Sequence, residues 1–201
     1  FLTELPLHIL NTERLVRGEK MILKELIKGY NVVDVIGQTD IDIAALCHDH
    51  REVKNGYAFI CIRGEKGNGE NFAAQAVQNG AICIVTEKAL DVKVTQVIVD
   101  DAREAMSAFA CIFYGNPSEK MQLVGVTGTN GKTTTCHLIS EIIKRSGGNV
   151  GVIGTLGVFY CGKYIPPKLT TPDPIFLNKI LADMERAGVK YVAMEVSAHA
   201  C

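Results

Sequence analysis

The chain carries almost no excess charge of either sign: 21 Lys and Arg stand against 22 Asp and Glu, a formal net charge of -1 over 201 residues. That balance gives nucleic acid no global basic field and a membrane surface no polybasic run, so any binding has to be local. Long apolar runs are missing as well. No stretch approaches the ~20 residues needed to span a bilayer, and the N-terminus lacks the basic-then-apolar pattern of an export signal. Paired cysteines are also absent. Cys47, Cys61, Cys83, Cys111, Cys136, Cys161 and Cys201 are scattered without C-x-x-C spacing, several inside apolar patterns where cysteine acts as a small hydrophobe. His48 and His50 flank Asp49, but no second pair of ligands stands elsewhere at zinc-site spacing, which argues against zinc. With 47% hydrophobic residues the chain can build an ordinary core, and the expected setting is reduced and cytoplasmic, with no nucleic-acid or membrane partner.

The most informative stretch is Gly125-Val126-Thr127-Gly128-Thr129-Asn130-Gly131-Lys132-Thr133-Thr134-Thr135. Met121 to Val126 read as an apolar strand, Gly128 and Gly131 let the backbone turn its N–H groups inward, and Cys136 to Arg145 have helical spacing. This is the pattern of a phosphate-binding loop. Lys132 would bring a mobile cation to the β- and γ-phosphates of ATP, and the Thr133 hydroxyl could ligate the Mg²⁺ that bridges them. One position departs from the usual G-x-x-x-x-G-K-S/T pattern, because Val126 stands five residues before Gly131 where a glycine is expected. The alternative is a glycine-rich strand-to-helix turn with no ligand.

The remaining pattern alternates α and β. Met21 to Gly29 reads as a short helix, and Asn31 to Ile36 and Ile41 to Leu46 as strands. Tyr57 to Ile62 is a buried strand, Glu70 to Asn79 an amphipathic helix stopped by Gly80, and Ala81 to Thr86 and Val94 to Val99 two more strands. A helix capped by Asp100 or Asp101 runs to about Tyr114. Gly115-Asn116-Pro117-Ser118 then breaks the pattern, which sets the expected domain boundary near Ser118: residues 21–118 form one domain and 119–201 the next. Beyond the loop helix, Val150 to Thr155 is a strand, Cys161-Gly162-Lys163 the tip of a hairpin, Ile175 to Ala187 a helix and Tyr191 to Val196 a strand. A mostly parallel sheet is expected, with ligands at the carboxyl ends of its strands. Residues 1–20 show no clear period and read as an extension of uncertain origin. The chain begins at Phe1 without methionine and stops directly after a strand, so it reads as a fragment.

Three motifs in order, Thr127 to Thr134, then Thr170-Thr171-Pro172, then Met194-Glu195-Val196-Ser197-Ala198-His199, resemble the Mur ligase family, most closely its MurE branch. The resemblance covers most of Met21 to Cys201, and the family's phosphate loop also lacks the first glycine, so Val126 fits it. It implies a small mixed α/β UDP-binding domain followed by a truncated P-loop central domain. It further implies an ATP-dependent ligase of peptidoglycan precursor synthesis, acting as a monomer. ATP would phosphorylate the D-Glu carboxylate of UDP-MurNAc-L-Ala-D-Glu, and the amine of meso-diaminopimelate or L-lysine would attack the acyl phosphate. The chemistry is sound, since a mixed anhydride splits one difficult amide-forming step into two easier ones.

The resemblance also assigns roles. Gly128, Thr129, Asn130, Gly131, Lys132, Thr133 and Thr134 would bind ATP, and Lys132 and Glu195 would be catalytic, with Thr133 and Glu195 as Mg²⁺ ligands. Glu195 ends an apolar strand, where a carboxylate is costly unless it meets a cation; a lysine partner is the alternative to the metal. Thr170, Thr171 and Ser197 would hold the peptidyl-sugar, or else cap and turn the chain. In the first domain, Asp49-His50-Arg51 looks like the family's uridine-nucleotide motif, with His50 where a serine is usual. Glu65, Lys66 and Gly67 match its next uridine-contacting loop, or are a solvated turn. A GTPase-like switch is disfavoured, because no Asn-Lys-x-Asp follows the loop and the only D-x-x-G, Asp34 to Gly37, precedes it. A related MurF-like ligase, or a module that binds nucleotide without turnover, remain alternatives. The family's carbamylated lysine and third domain would follow Cys201, so the fragment itself is expected to be inactive.

Overall fold

The computed structural model describes residues 20–64, 67–167 and 169–197. The chain divides into two compact units between Gly115 and Asn116.

The first unit contains β1 (Met21–Ile22), α1 (Leu23–Ile27), β2 (Asp34–Ile36), β3 (Asp42–Ile43), β4 (Ala45–Cys47) and β5 (Tyr57–Ile60). A two-residue ribbon, β6 (Arg63–Gly64) and β7 (Gly67–Asn68), leads into a 3-10 turn, Gly69–Phe72, and α2 (Ala73–Gln78). Then come β8 (Ala81–Thr86), β9 (Thr95–Ile98) and α3 (Ala102–Phe113). Five strands form one sheet in the order β2-β9-β8-β5-β4, parallel throughout except for β2. The inner strands are almost wholly apolar because both their faces are covered: Phe59, Ile60, Cys83, Ile84, Val85 and Val97 are all buried. Burial pushes the Cys61 and Cys83 thiols up to about 12, so they pack as neutral hydrophobes.

Three local expectations change. The first helix starts only at Leu23, since Met21 and Ile22 pair antiparallel with Ile43 and Asp42. The strand expected over Ile41 to Leu46 is broken at Ala44, whose N–H leaves the ladder to donate to the Gly56 carbonyl at 2.8 Å. The helix expected from Glu70 opens as 3-10, with the Asn68 side chain accepting from the Glu70 N–H.

The second unit begins with a 3-10 turn, Pro117–Lys120, and β10 (Gln122–Val126), followed by α4 (Lys132–Arg145), β11 (Val150–Gly154), β12 (Gly157–Tyr160), β13 (Lys163–Ile165), α5 (Pro174–Arg186) and β14 (Tyr191–Glu195). The sheet order is β10-β14-β11-β12-β13. Only the pairings flanking β14 are parallel, so this sheet is mixed rather than mostly parallel. Two-residue connections permit only antiparallel return. Cys161 at φ 46° and Gly162 at φ 76° make such a turn between β12 and β13, both in the left-handed region that matches hairpin twist.

Alternation along the parallel strands places a helix on each face. Val152 and Ala193 pack with Cys136 and Ile139 of α4. Ile153, Val192 and Met194 pack with Ile180, Leu181 and Met184 of α5. Val126 pairs with Glu195 and Ile153 with Met194, so the start of the glycine-rich loop, Glu195 and Gly154 lie level at the carboxyl edge of the sheet.

Candidate functional site

That edge is built around three chain segments. The first is the loop from β10 into α4. Gly128 at φ 141° and Gly131 at φ 80° use backbone conformations that other residues rarely adopt, and they wind Thr127 to Gly131 into an exposed turn. Lys132 opens the helix, and its Nζ donates to the Gly128 carbonyl at 2.7 Å, holding the ammonium across the loop. Thr133 and Thr134 complete the first turn. The first N–H groups of a helix have no partner within it. On α4 no side chain caps them, and the first turn holds no acidic residue. The helix thus presents unshielded donors and a positive dipole end beside Lys132.

The second segment is Glu195 at the end of β14. It is only 2% exposed, a severe desolvation for a carboxylate. Among the described residues no lysine pairs with it. Its donors come from Thr155 instead: the backbone N–H reaches Oε1 at 2.9 Å and the hydroxyl reaches Oε2 at 3.1 Å. The neighbouring Gly154 makes room, since a Cβ there would land on the Glu195 carboxylate.

The third segment is the loop carrying Thr170 and Thr171. Thr170 Oγ1 lies 3.3 Å from Thr155 Oγ1. Thr171 Oγ1 donates to the Glu195 main-chain carbonyl at 3.0 Å and accepts the Ser197 N–H at 2.9 Å, with Ser197 Oγ 3.3 Å away. Thr170, Thr171, Ser197 and Glu195 are therefore drawn into one hydrogen-bonded cluster. Residues 198–201, including His199, lie outside the described residues.

A carboxylate has about four acceptor positions, and Thr155 uses two of those on Glu195. Among the described residues no group of three or more His, Cys, Asp or Glu could hold a metal. A single buried carboxylate beside a hydroxyl-rich phosphate loop suits Mg²⁺, which takes one or two carboxylates together with phosphates and water. It does not suit a cation that needs an all-protein cage.

In the first unit His50 stacks flat on Phe72, with ring centroids 4.3 Å apart and planes at 3°. The Asn79 side chain holds the His50 carbonyl at 2.8 Å. Asp49 takes a two-pronged contact from Arg51, Nε to Oδ1 at 2.9 Å and Nη2 to Oδ2 at 2.6 Å, which holds its carboxyl down at about 2. Gly67 ends the short ribbon, and a side chain there would sit 3.8 Å from the Phe72 ring. His50 and Gly67 thus share one neighbour, while Glu65 and Lys66 lie outside the described residues. Three residues of these two clusters escaped sequence reasoning: Gly154, Thr155 and Phe72. Phe72 falls inside the helical pattern from Glu70 and the other two sit in an ordinary-looking strand end, so none carries a sequence signal of its own.

The model of the Mur ligase family catalytic domain matches residues 42–114, and that of the Mur ligase middle domain matches residues 126–201. The chain belongs to the Mur ligase family. Among its curated relatives is the UDP-N-acetylmuramoyl-L-alanyl-D-glutamate--2,6-diaminopimelate ligase of Cytophaga hutchinsonii, 41% identical over 90% of this chain and 38% of the relative. The ligase of the same name from Geobacillus thermodenitrificans is 45% identical over 79% of this chain and 32% of the relative. This chain therefore spans about a third of their length. A solved structure of a ligase of that name aligns with a TM-score of 0.73 at 26% identity, covering 90% of this chain and 36% of that one. MurF from Acinetobacter baumannii, at 24% identity and a TM-score of 0.62 over 90% of this chain and 36% of its own, shares the fold.

Proposed function

We propose that this chain carries the nucleotide- and precursor-binding parts of a MurE-type ligase, which adds diaminopimelate to UDP-MurNAc-L-Ala-D-Glu at the expense of ATP. The carrying observation is that an uncapped helix N-terminus, Lys132 and the buried Glu195 meet at the carboxyl edge of one sheet. The diamino acid is the one named for the curated relatives. Residues 119–201 bind ATP through Gly128 to Thr134, and residues 21–118 bind the uridine-linked precursor near His50 and Gly67. Thr170, Thr171 and Ser197 offer hydroxyls to its peptide.

When bound, Mg²⁺·ATP supplies the phosphoryl group that turns the D-Glu carboxylate into a better electrophile. Thr133 and Glu195 would hold the metal, and the N–H groups at the start of α4 would cradle phosphate oxygens. Lys132 swings from the Gly128 carbonyl to the phosphates and offsets their charge. Phosphoryl transfer needs such alignment and neutralisation more than covalent help. The reading includes a cytoplasmic setting and a monomeric state, and the described residues contain no helix long and apolar enough to cross a membrane.

An NMR titration with UDP-MurNAc-L-Ala-D-Glu tests the precursor site. Shifts are expected at His50, Arg51, Gly67 and Phe72, and shifts confined to other residues would overturn the placement. We further expect the 201 residues to bind without completing the ligation, because two anionic reactants need more positive charge than Lys132 and one Mg²⁺ bring. Tripeptide formed by this chain from ATP, precursor and diaminopimelate would show the catalytic set to be complete here.

A further inference from the structure

We infer that Thr155 is a positioning residue that aims the Glu195 carboxylate and ties it to the peptide-binding loop. The inference rests on the reading of Glu195 as a Mg²⁺ ligand and adds the residue that sets its orientation. Glu195 is almost wholly buried, and both of its carboxylate oxygens are held by Thr155, one by the main-chain N–H and one by the hydroxyl. Two donors from one residue fix the carboxylate plane as well as its position. Gly154 completes the socket, because only a residue without Cβ lets the backbone come so close to that carboxylate.

The hydroxyl has a single proton, which lies on Glu195 Oε2. In the 3.3 Å contact between Thr155 and Thr170 it is therefore Thr170 that donates. The chain runs from Thr170 to Thr155 to Glu195, each link polarising the next. On the main-chain side, Thr171 donates to the carbonyl of the same Glu195 and is itself held by the Ser197 N–H. A substrate group that engages Thr170 thereby acts on the carboxylate through one intervening hydroxyl. Groups that orient a metal ligand in this way govern metal affinity without touching the metal.

Thr155→Val keeps the side-chain shape and the N–H but removes the hydroxyl, whereas Thr155→Ser restores it. ATP affinity is measured by calorimetry as a function of Mg²⁺ concentration, and again in EDTA. Thr155→Val is expected to raise the half-saturating Mg²⁺ concentration about tenfold, with Thr155→Ser within about twofold of the parent and affinity in EDTA unchanged in both. A purely structural role would lower the unfolding temperature and leave the Mg²⁺ dependence where it was, and that result overturns the inference. If Thr155→Val loses its cooperative unfolding transition, Thr155→Ala is read in its place by the same criteria. An unsubstituted chain whose ATP binding ignores Mg²⁺ refutes the metal reading itself, and the inference falls with it. A Mg²⁺-dependent parent with an indifferent Thr155→Val refutes only the inference.

Discussion

Helices α4 and α5 cover opposite faces of the same parallel strands, yet they begin in opposite ways. Asp173 caps α5, its carboxylate accepting from the Ile175 and Phe176 N–H groups at 3.0 Å each, with Pro174 at the first helical position. In the first unit α3 is closed likewise by Asp101, which accepts from the N–H groups of Arg103 at 2.7 Å and Glu104 at 2.9 Å. Helix α4 has Gly131 in the left-handed region, no cap and no acidic residue in its first turn. Asp caps spend the helix-end donors on stability. Leaving α4 uncapped forgoes that stability and, on the function proposed above, keeps the donors for an anion.

The sharpest way to break this contrast is to bring a carboxylate to α4. Gly131→Asp places one at the mouth of the loop, where a Cβ meets no atom within 4 Å and the left-handed backbone costs about 1 kcal/mol. ATP affinity should fall at least about tenfold, equivalent to ~1.4 kcal/mol, and undiminished affinity by calorimetry would remove the distinction. Next comes the opposite change. Asp173→Ala should cost about 1 kcal/mol in urea unfolding and leave ATP affinity unaltered; a comparable loss of ATP binding would mean the capped end also serves the site.

The smallest effect is one of pH. The N–H groups of Glu104 and Arg103 hold the Asp101 carboxyl below the usual carboxylate range. A depressed carboxylate stabilises the fold fully above its unfolded value, near pH 4, and loses that contribution as pH falls through the lower folded value. The stability gap between the parent and Asp101→Ala should therefore be widest above about pH 5 and close as acid protonates the cap. A gap independent of pH from 7 to 3 would show that charge plays no part in the cap.

Sequence and structure agree best where a signal is local. The glycine-rich turn ahead of α4 announces itself through Gly128, Gly131 and Lys132 in succession, and the α3 cap through Asp100 and Asp101 ahead of an apolar helical period, of which Asp101 is the one that caps. The Cys161-Gly162 turn is legible for the same reason, since few residues tolerate positive φ. What depends on long-range register stays hidden. Thr155 lies 40 positions from Glu195 and meets it only because β11 and β14 align. His50 and Phe72 stack across the buried strand Tyr57 to Ile62 and the loop after it. The break at Ala44 belongs to the same class, for it is decided by a Gly56 carbonyl supplied from the turn ahead of β5. The β12–β13 hairpin of the mixed sheet is intermediate: its turn is legible, but its antiparallel docking beside β11 is not.

In the function proposed above, the start of α4 reads phosphate, with Lys132 as its mobile cation. Titrating ATP with Mg²⁺ into the parent and into Lys132→Ala, with AMP as a control, tests it most directly. Lys132→Ala is expected to bind ATP at least about tenfold more weakly, while AMP, lacking the β- and γ-phosphates, binds both proteins alike. Equal ATP affinity for the two proteins would contradict it.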